Sequence, residues 1–316
     1  MIRRTTKSSL FEINDPALKL SSNFDLTSKT SMKMSAVAAI HAEVDSPFAL
    51  KKVLRTVKQE ERPTFILGGG KNTLFATSYF DGVVVSLGRS FAARELHADN
   101  TIRVGASLQL PALINFSREC GLMGLEFLTM VPGTVGGALA SNAGAGDEGL
   151  CDYVKRVWVM ARDGMIHSFS KNDFHYEYRH SALRDYVILE AELQLRPLNL
   201  AEAERRTNDF RNKKTNQPYH IPSSGCIFKN PKDPRTGANV SAGKLIDDCG
   251  LKNYSIRSAQ VSQGHANFIV NNGSSSGEDF LALISLVRDI VHHKTEIELD
   301  LEVQIVGGPL NGVVLA

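Results

Sequence analysis

The stretch VPGTVGGALASNAGA at residues 131–145 constrains the fold more than any other part of the chain. It carries Gly133, Gly136, Gly137 and Gly144, with Gly146 just beyond, and few large side chains separate them. A segment this poor in bulk packs weakly against protein, so it calls for contact with something large and flat. Its backbone amides, with Ser141 and Asn142, suit a pyrophosphate and a polar ring. A second cluster, ILGGGKN at 66–72, places Gly68, Gly69 and Gly70 directly after a strand. It fits neither G-x-x-x-x-G-K-[ST] nor G-x-G-x-x-G, and by itself reads as a tight turn. Two such segments about sixty residues apart, one leaving a strand and one entering a helix, suit a dinucleotide held between two subdomains.

The 316 residues are too many for one small core, which predicts two or three domains. A net charge of +2 argues against a nucleic-acid or anionic-membrane surface. The start, MIRRTTKSSLFEIND, has no apolar centre and contains Glu12 and Asp15, so it reads as a disordered or docking extension. No run approaches the ~20 apolar residues of a membrane span. Cys120, Cys151, Cys226 and Cys249 are far apart and include no C-x-x-C, and no H-E-x-x-H occurs. A metal site and a disulfide framework are therefore not expected, and a reducing cytoplasmic location is.

Periodicity places a helix in SPFALKKVLRTVKQEE, with Leu50, Val53, Leu54 and Val57 on one stripe, and a strand at TFIL. GVVVSL and TIRVGA read as strands, and SLQLPALINFSREC as a helix opening at Ser107. YVKRVWVMARDGMIHSF predicts two strands across a turn at Asp163–Gly164. YVILEAELQL alternates as a half-buried strand. NLAEAERRTNDFRNKKTNQP is a polar helical connector. A further unit holds PSSGCIFKNP, a short helix in SAGKLIDDCG closed by Gly250, and an amphipathic helix in GEDFLALISLVRDIVHH. IELDLEVQIVG reads as a final strand with Ile297, Leu299, Leu301, Val303 and Ile305 inward.

The segments LGGGKN, GLEFLTMVPGTVGGALASNAGA, YRHS, SSGCIFKNP, AGKLIDDCGLK, HANFIVN and LEVQIVG follow one another here. In that order, over residues 26 to 307, the chain resembles the UDP-N-acetylenolpyruvoylglucosamine reductases. The resemblance implies an α+β, FAD-binding fold of the vanillyl-alcohol-oxidase type, with two α+β subdomains and a third α+β substrate domain. It implies noncovalent FAD, NADPH as co-substrate, and reduction of an enolpyruvyl UDP-sugar to UDP-N-acetylmuramate for peptidoglycan. The implied division is an extension at 1–25, a first FAD subdomain at 26–72 joined by 297–316, a second at 73–200, and a substrate domain at 201–296. A monomer of the type lacking a tyrosine lid loop is expected. One departure stands out: TSKTSMKMSAVAAI occupies the place where relatives usually carry Thr-Thr-Phe and then Gly-Gly.

The family's catalytic positions fall on Arg179, Cys226 and Glu302. An arginine can fork onto a carboxylate and stabilise an enolate, although a loop arginine is commonly just exposed. Glu302 would join it at the enolate, with a pKa raised by the second carboxylate once substrate is bound, where a strand glutamate is ordinarily solvated. Cys226 takes the place of the serine that protonates the enolate; the alternative is a small buried hydrophobe. The flavin contacts implied are Gly68, Gly69, Gly70, Asn72, Pro132, Gly133, Thr134, Gly136, Gly137, Ser141, Asn142, Ala143 and Gly144. Lys229, Asn230, Lys252 and His265 are the implied substrate contacts, each of which reads equally well as a surface or packing residue. Two other readings stay open: a flavoenzyme of the same fold with another substrate, and a non-enzymatic UDP-sugar binding module.

Overall fold

Three sheets organise the chain in the computed structural model, which describes residues 8–215 and 217–308. In the first sheet Leu18–Asp25 lies beside Val37–Val44, followed by Tyr79–Leu87 and Thr64–Ile66. Its outer pair is antiparallel and its inner pairs are parallel. Helix α1 (Pro47–Gln59) starts where the Ser46 hydroxyl accepts from the Ala49 N–H and Pro47 sets the first turn. Its stripe Leu50, Val53, Leu54 and Val57 is buried in one cluster with Val83 and Val85 of the sheet.

Two sequence expectations change here. From Ser8 onward the extension is part of this layer: Leu18–Asp25 is a sheet strand, and the Ser9 N–H and hydroxyl both donate to Glu60. Leu10 is fully buried in one cluster with α1, and Ile13, Ala17, Leu18 and Leu20 pack partly buried against it, which offsets the entropy of ordering a terminus. Residues 1–7 lie outside the described part. The expected boundary at 72/73 falls too early, because Tyr79–Leu87 lies inside the first sheet.

The second sheet is antiparallel throughout, in the order Ile166–Ser170, Val154–Met160, Val187–Gln194, Thr101–Gly105, Arg94–Leu96. Helices α2 (Leu110–Glu119) and α3 (Val135–Ala140) pack their apolar residues into the same core. The former opens three residues beyond Ser107, whose hydroxyl donates to Gly88 O instead, while Pro111 occupies the first turn.

Helix α4 (Leu200–Asn212), capped by the Asn199 side chain, carries the chain towards the third unit. There Ser223–Cys226 pairs with Phe268–Asn271, then Ala259–Val261 and Ser255–Ile256. Helix α5 (Ala242–Asp248) ends before Gly250 at φ 76. In α6 (Gly277–Thr295) a Ser276–Asp279 capping box opens the helix, and Phe280, Leu283, Ile284, Val287 and Val291 are buried.

The final segment differs from the continuous strand expected. Only Gln304–Val306 forms a strand, parallel to Thr73–Phe75. Residues before it turn instead towards the third unit: Lys229 N–H donates to Asp300 O, and Glu302 N–H to Ile227 O. Ile297, Leu299, Val303 and Ile305 remain buried, whereas Leu301 is half-buried. The segment thus joins the third unit to the first, with Glu302 at the junction. Residues 309–316, assigned above to the first subdomain, lie outside the described part.

Candidate active site

A cavity of about 1000 Å³ opens between the three units. Both glycine loops line it, together with Cys226, Arg179, Glu302 and Lys229. The loops touch each other backbone to backbone: a Cβ on Gly69 would lie 2.9 Å from the Gly133 Cα. Gly70 sits at φ 60, and a Cβ there would come within 2.1 Å of Lys29 O. Ser31, from the stretch that departs from the family pattern, donates its N–H to Gly70 O at 2.9 Å. Part of the demand for small residues is therefore internal, and the remaining faces of the loops border the cavity.

Arg179 stands on a tight hairpin between Tyr176–Glu177 and His180–Ser181. Its φ of 57 is unusual for a side chain of this size, a local strain of the kind concentrated at functional sites. Nη1 donates to Gly144 O at 2.8 Å, which ties the guanidinium to the end of the glycine block. Nε lies 2.9 Å from Glu302 Oε1 as an ion pair without aligned hydrogen-bond geometry. The Tyr178 ring packs 5.3 Å from the guanidinium carbon.

Burial pushes the Glu302 carboxyl above the ordinary carboxylate range, and the charges of Arg179 and Lys229 only partly oppose it. This shift arises without a second carboxylate, and desolvation is its cause, a different origin from the carboxylate pair expected with substrate bound. Asn72 fixes the local backbone: its side-chain amide donates to Glu302 O at 2.9 Å, and Gln304 N–H donates back to Asn72 O.

Cys226 ends the Ser223–Cys226 strand after Gly225 at φ 80, in a pairing whose register is irregular. Burial, then the Glu302 charge, pushes its thiol up to about 12, while Arg179 and Lys214 pull the other way. At neutral pH the sulfur therefore carries its proton, the form an acid requires and a nucleophile does not.

Lys214 is the residue that the sequence reading missed. It follows α4, lines the cavity, and donates Nζ to Thr129 O at 2.7 Å. Burial, with the neighbouring Arg179 charge, brings its ammonium down to about 8. Nothing in NKKTNQP separates it from its solvated neighbour Lys213; only the folded surroundings do.

Other expectations divide. Pro132, Thr134, Gly136, Gly137, Ser141, Ala143 and Gly144 line the cavity, though the Thr134 hydroxyl already accepts the Gly137 N–H and that of Ser141 donates to Gly137 O. Asn142 is turned inward, donating to Glu177 O and accepting from Cys151 N–H. Asn230 accepts the Ala242 N–H at the start of α5. Lys252 pairs with Asp247 at 2.6 Å, and His265 is half-buried against Phe268 and α5. These last four do not border the cavity, because each polar group is engaged by its own unit.

Comparison with known proteins gives two family matches along the chain. Residues 38–170 match a family model described as an FAD binding domain. Residues 217–306 match one described as the C-terminal domain of UDP-N-acetylenolpyruvoylglucosamine reductase. The chain is 33% identical to the reductase of that name from Bacillus subtilis, over 92% of this chain and 95% of that protein. With the Clostridioides difficile reductase the identity is 37%, over 82% and 84% respectively. Among solved structures, the Thermus caldophilus reductase superposes with a TM-score of 0.77 at 30% identity, covering 92% of this chain and 99% of that one.

Proposed function

From the premise that this chain belongs to the UDP-N-acetylenolpyruvoylglucosamine reductase family, and is an FAD-dependent oxidoreductase that uses NADPH, we propose how its cavity acts on the enolpyruvyl UDP-sugar. The residues present fit a flavin. The two glycine loops present mostly backbone to a cavity of about 1000 Å³, and a Cβ at Gly137 would meet only Thr134 Oγ1, at 3.4 Å. Gly68, Gly69, Gly70 and Asn72 would hold it from one side, and residues 132–137 with Ser141, Ala143 and Gly144 from the other. When bound, FAD supplies the hydride that links NADPH oxidation to reduction of the substrate.

The protein's own groups do the remaining work. Hydride addition to the enolpyruvyl double bond leaves negative charge beside the substrate carboxylate. Arg179, fixed by Gly144 O and Glu302, provides a permanent positive fork for that charge. Cys226 gives up its S–H proton to the carbanionic carbon, forming the new C–H bond. The sulfur is left as thiolate beside Arg179 and Lys214, whose charges lower its cost until solvent returns a proton. Lys229 and Lys214 are the cavity cations suited to the diphosphate. The observation that carries this reading is the Arg179–Glu302 ion pair in the same cavity that the Cys226 side chain lines.

We read the protein as a cytoplasmic monomer; the four free cysteines suit a reducing compartment. Among the described residues no helix is long and apolar enough to cross a membrane. The division into two flavin-holding units and a substrate unit is read with the first boundary moved beyond Leu87. The test is Cys226→Ala, followed by anaerobic rapid mixing. Flavin bleaching by NADPH should proceed at the wild-type rate, and its reoxidation by the UDP-sugar should slow by about 100-fold or more. Undiminished reoxidation removes Cys226 from the reaction.

A further inference from the structure

Arg206 occupies the middle of α4 and reaches residues on both sides of the glycine-rich block. Its Nε lies 3.4 Å from Glu126 Oε2, and its Nη2 donates to both oxygens of Glu148 at 2.7 and 2.8 Å. Glu126 is only 2% exposed and also accepts the Gly124 N–H, so its charge is compensated from two sides. Glu148 additionally accepts the Tyr153 hydroxyl at 2.8 Å, and Tyr153 stacks on Phe127. A buried carboxylate and its guanidinium are costly to separate, because either one left alone keeps its desolvation penalty. The cluster is therefore a stiff joint between α4 and residues 126 and 148.

The residues just past α4 give the joint a consequence. Eight residues beyond Arg206, about 12 Å if the helical rise is continued, Lys214 donates to Thr129 O and borders the cavity. Thr129 lies three residues after Glu126 and four before Gly133. Helix α4 and the residues just after it are thus pinned to one stretch twice, first by Arg206 and then by Lys214.

We propose that Arg206 is a positioning residue, which clamps α4 to the residues flanking the glycine block and thereby holds the Lys214 ammonium in the cavity that Cys226 also lines. The proposal rests on the proposed reductase chemistry of the cavity. It adds that a group outside the cavity sets the geometry within it, and that flavin cradle and cavity lysine form one mechanical unit.

A double-mutant cycle tests this. Arg206→Met and Lys214→Met are made singly and together in the full chain, and kcat/KM for the UDP-sugar is measured with FAD saturating. Misplacement on the scale of an ångström predicts that Arg206→Met lowers kcat/KM by about 10- to 100-fold in the wild-type background. In the Lys214→Met background it should cost less than about twofold, since the group being positioned is gone. Arg206→Lys, which keeps a cation but cannot span both carboxylates, should fall between. Arg206→Met is also expected to raise the FAD dissociation constant, read by flavin fluorescence. If Arg206→Met does not fold, Glu148→Gln takes its place in the cycle, with the same coupling expected.

Equal losses in both backgrounds, with FAD affinity unchanged, overturn the proposal and leave Arg206 a stabiliser of α4. A Lys214→Met enzyme with wild-type kcat/KM instead refutes the role given to Lys214 itself, an outcome separate from failure of the Cys226 assignment.

Discussion

A lysine ammonium taken out of water beside a guanidinium loses its proton more readily than one in solvent, and Lys214 is in that position. Its pKa is lowered to about 8, by burial first and the Arg179 charge second. The free enzyme therefore carries this positive charge below about pH 8 and loses it above. Because kcat/KM reports groups of the free enzyme, kcat/KM for the anionic UDP-sugar should fall as pH rises through about 8. Lys214→Arg should remove that limb, since a guanidinium stays charged throughout. A stopped-flow pH series on both proteins decides it; a limb unchanged in Lys214→Arg would assign it elsewhere. Sequence singled out Arg179, Cys226 and Glu302 because they lie inside distinctive motifs, and the fold brings all three to one cavity. It left Lys214 invisible, because desolvation is not written in the residues around it. Asn142 and Asn230 show the converse: both are polar and well placed in the sequence, yet each is engaged within its own unit.

At the scale of elements, the glycines separate into those required by the fold and those bordering the cavity. Gly70 has a left-handed φ and a backbone oxygen where its Cβ would lie. Gly70→Ala should destabilise by about 1–3 kcal/mol from strain, with the clash adding to this. Gly137 sits in α3 with an ordinary φ, and Thr134 Oγ1 is all that an added Cβ would meet. Gly137→Ala should therefore keep or slightly raise the apoprotein melting temperature, since alanine favours a helix by up to about 1 kcal/mol over glycine. The same methyl should weaken FAD binding by about 1–3 kcal/mol, the usual cost of overpacking. Calorimetry with flavin titration checks both halves, and an unaltered FAD affinity would show that this face of α3 does not touch the flavin. Periodicity found the long elements because one buried stripe suffices to mark them. It overextended the last strand, where alternate residues are buried although only Gln304–Val306 pairs along an edge.

For the whole molecule, net charge conceals an uneven distribution. The chain is only +2 overall, yet eight lysines and arginines border the cavity against two glutamates, Glu43 and Glu302. NADPH and the UDP-sugar are both polyanions, so the field in this concave surface should speed their entry. Raising ionic strength should lower kcat/KM for both substrates progressively, as the Debye length shrinks to about 8 Å at physiological salt. The value of kcat should change far less, because charges at contact are screened weakly. Steady-state kinetics across a salt series tests this; a flat kcat/KM would rule out steering.

The sequence by itself determined what is local or motif-borne: the amphipathic stripes, the helix stop at Gly250, the two glycine loops and the motifs that hold Arg179, Cys226 and Glu302. Each rests on residues a few positions apart, so a short window holds the information. Tertiary structure alone decided that the segment around Glu302 crosses from the third unit to the first, that α4 is pinned at Arg206, and that Lys214 is desolvated beside Arg179. Those outcomes depend on burial and pairing between groups tens to hundreds of residues apart. Only the assembled fold sets their distances and the amount of water left between them.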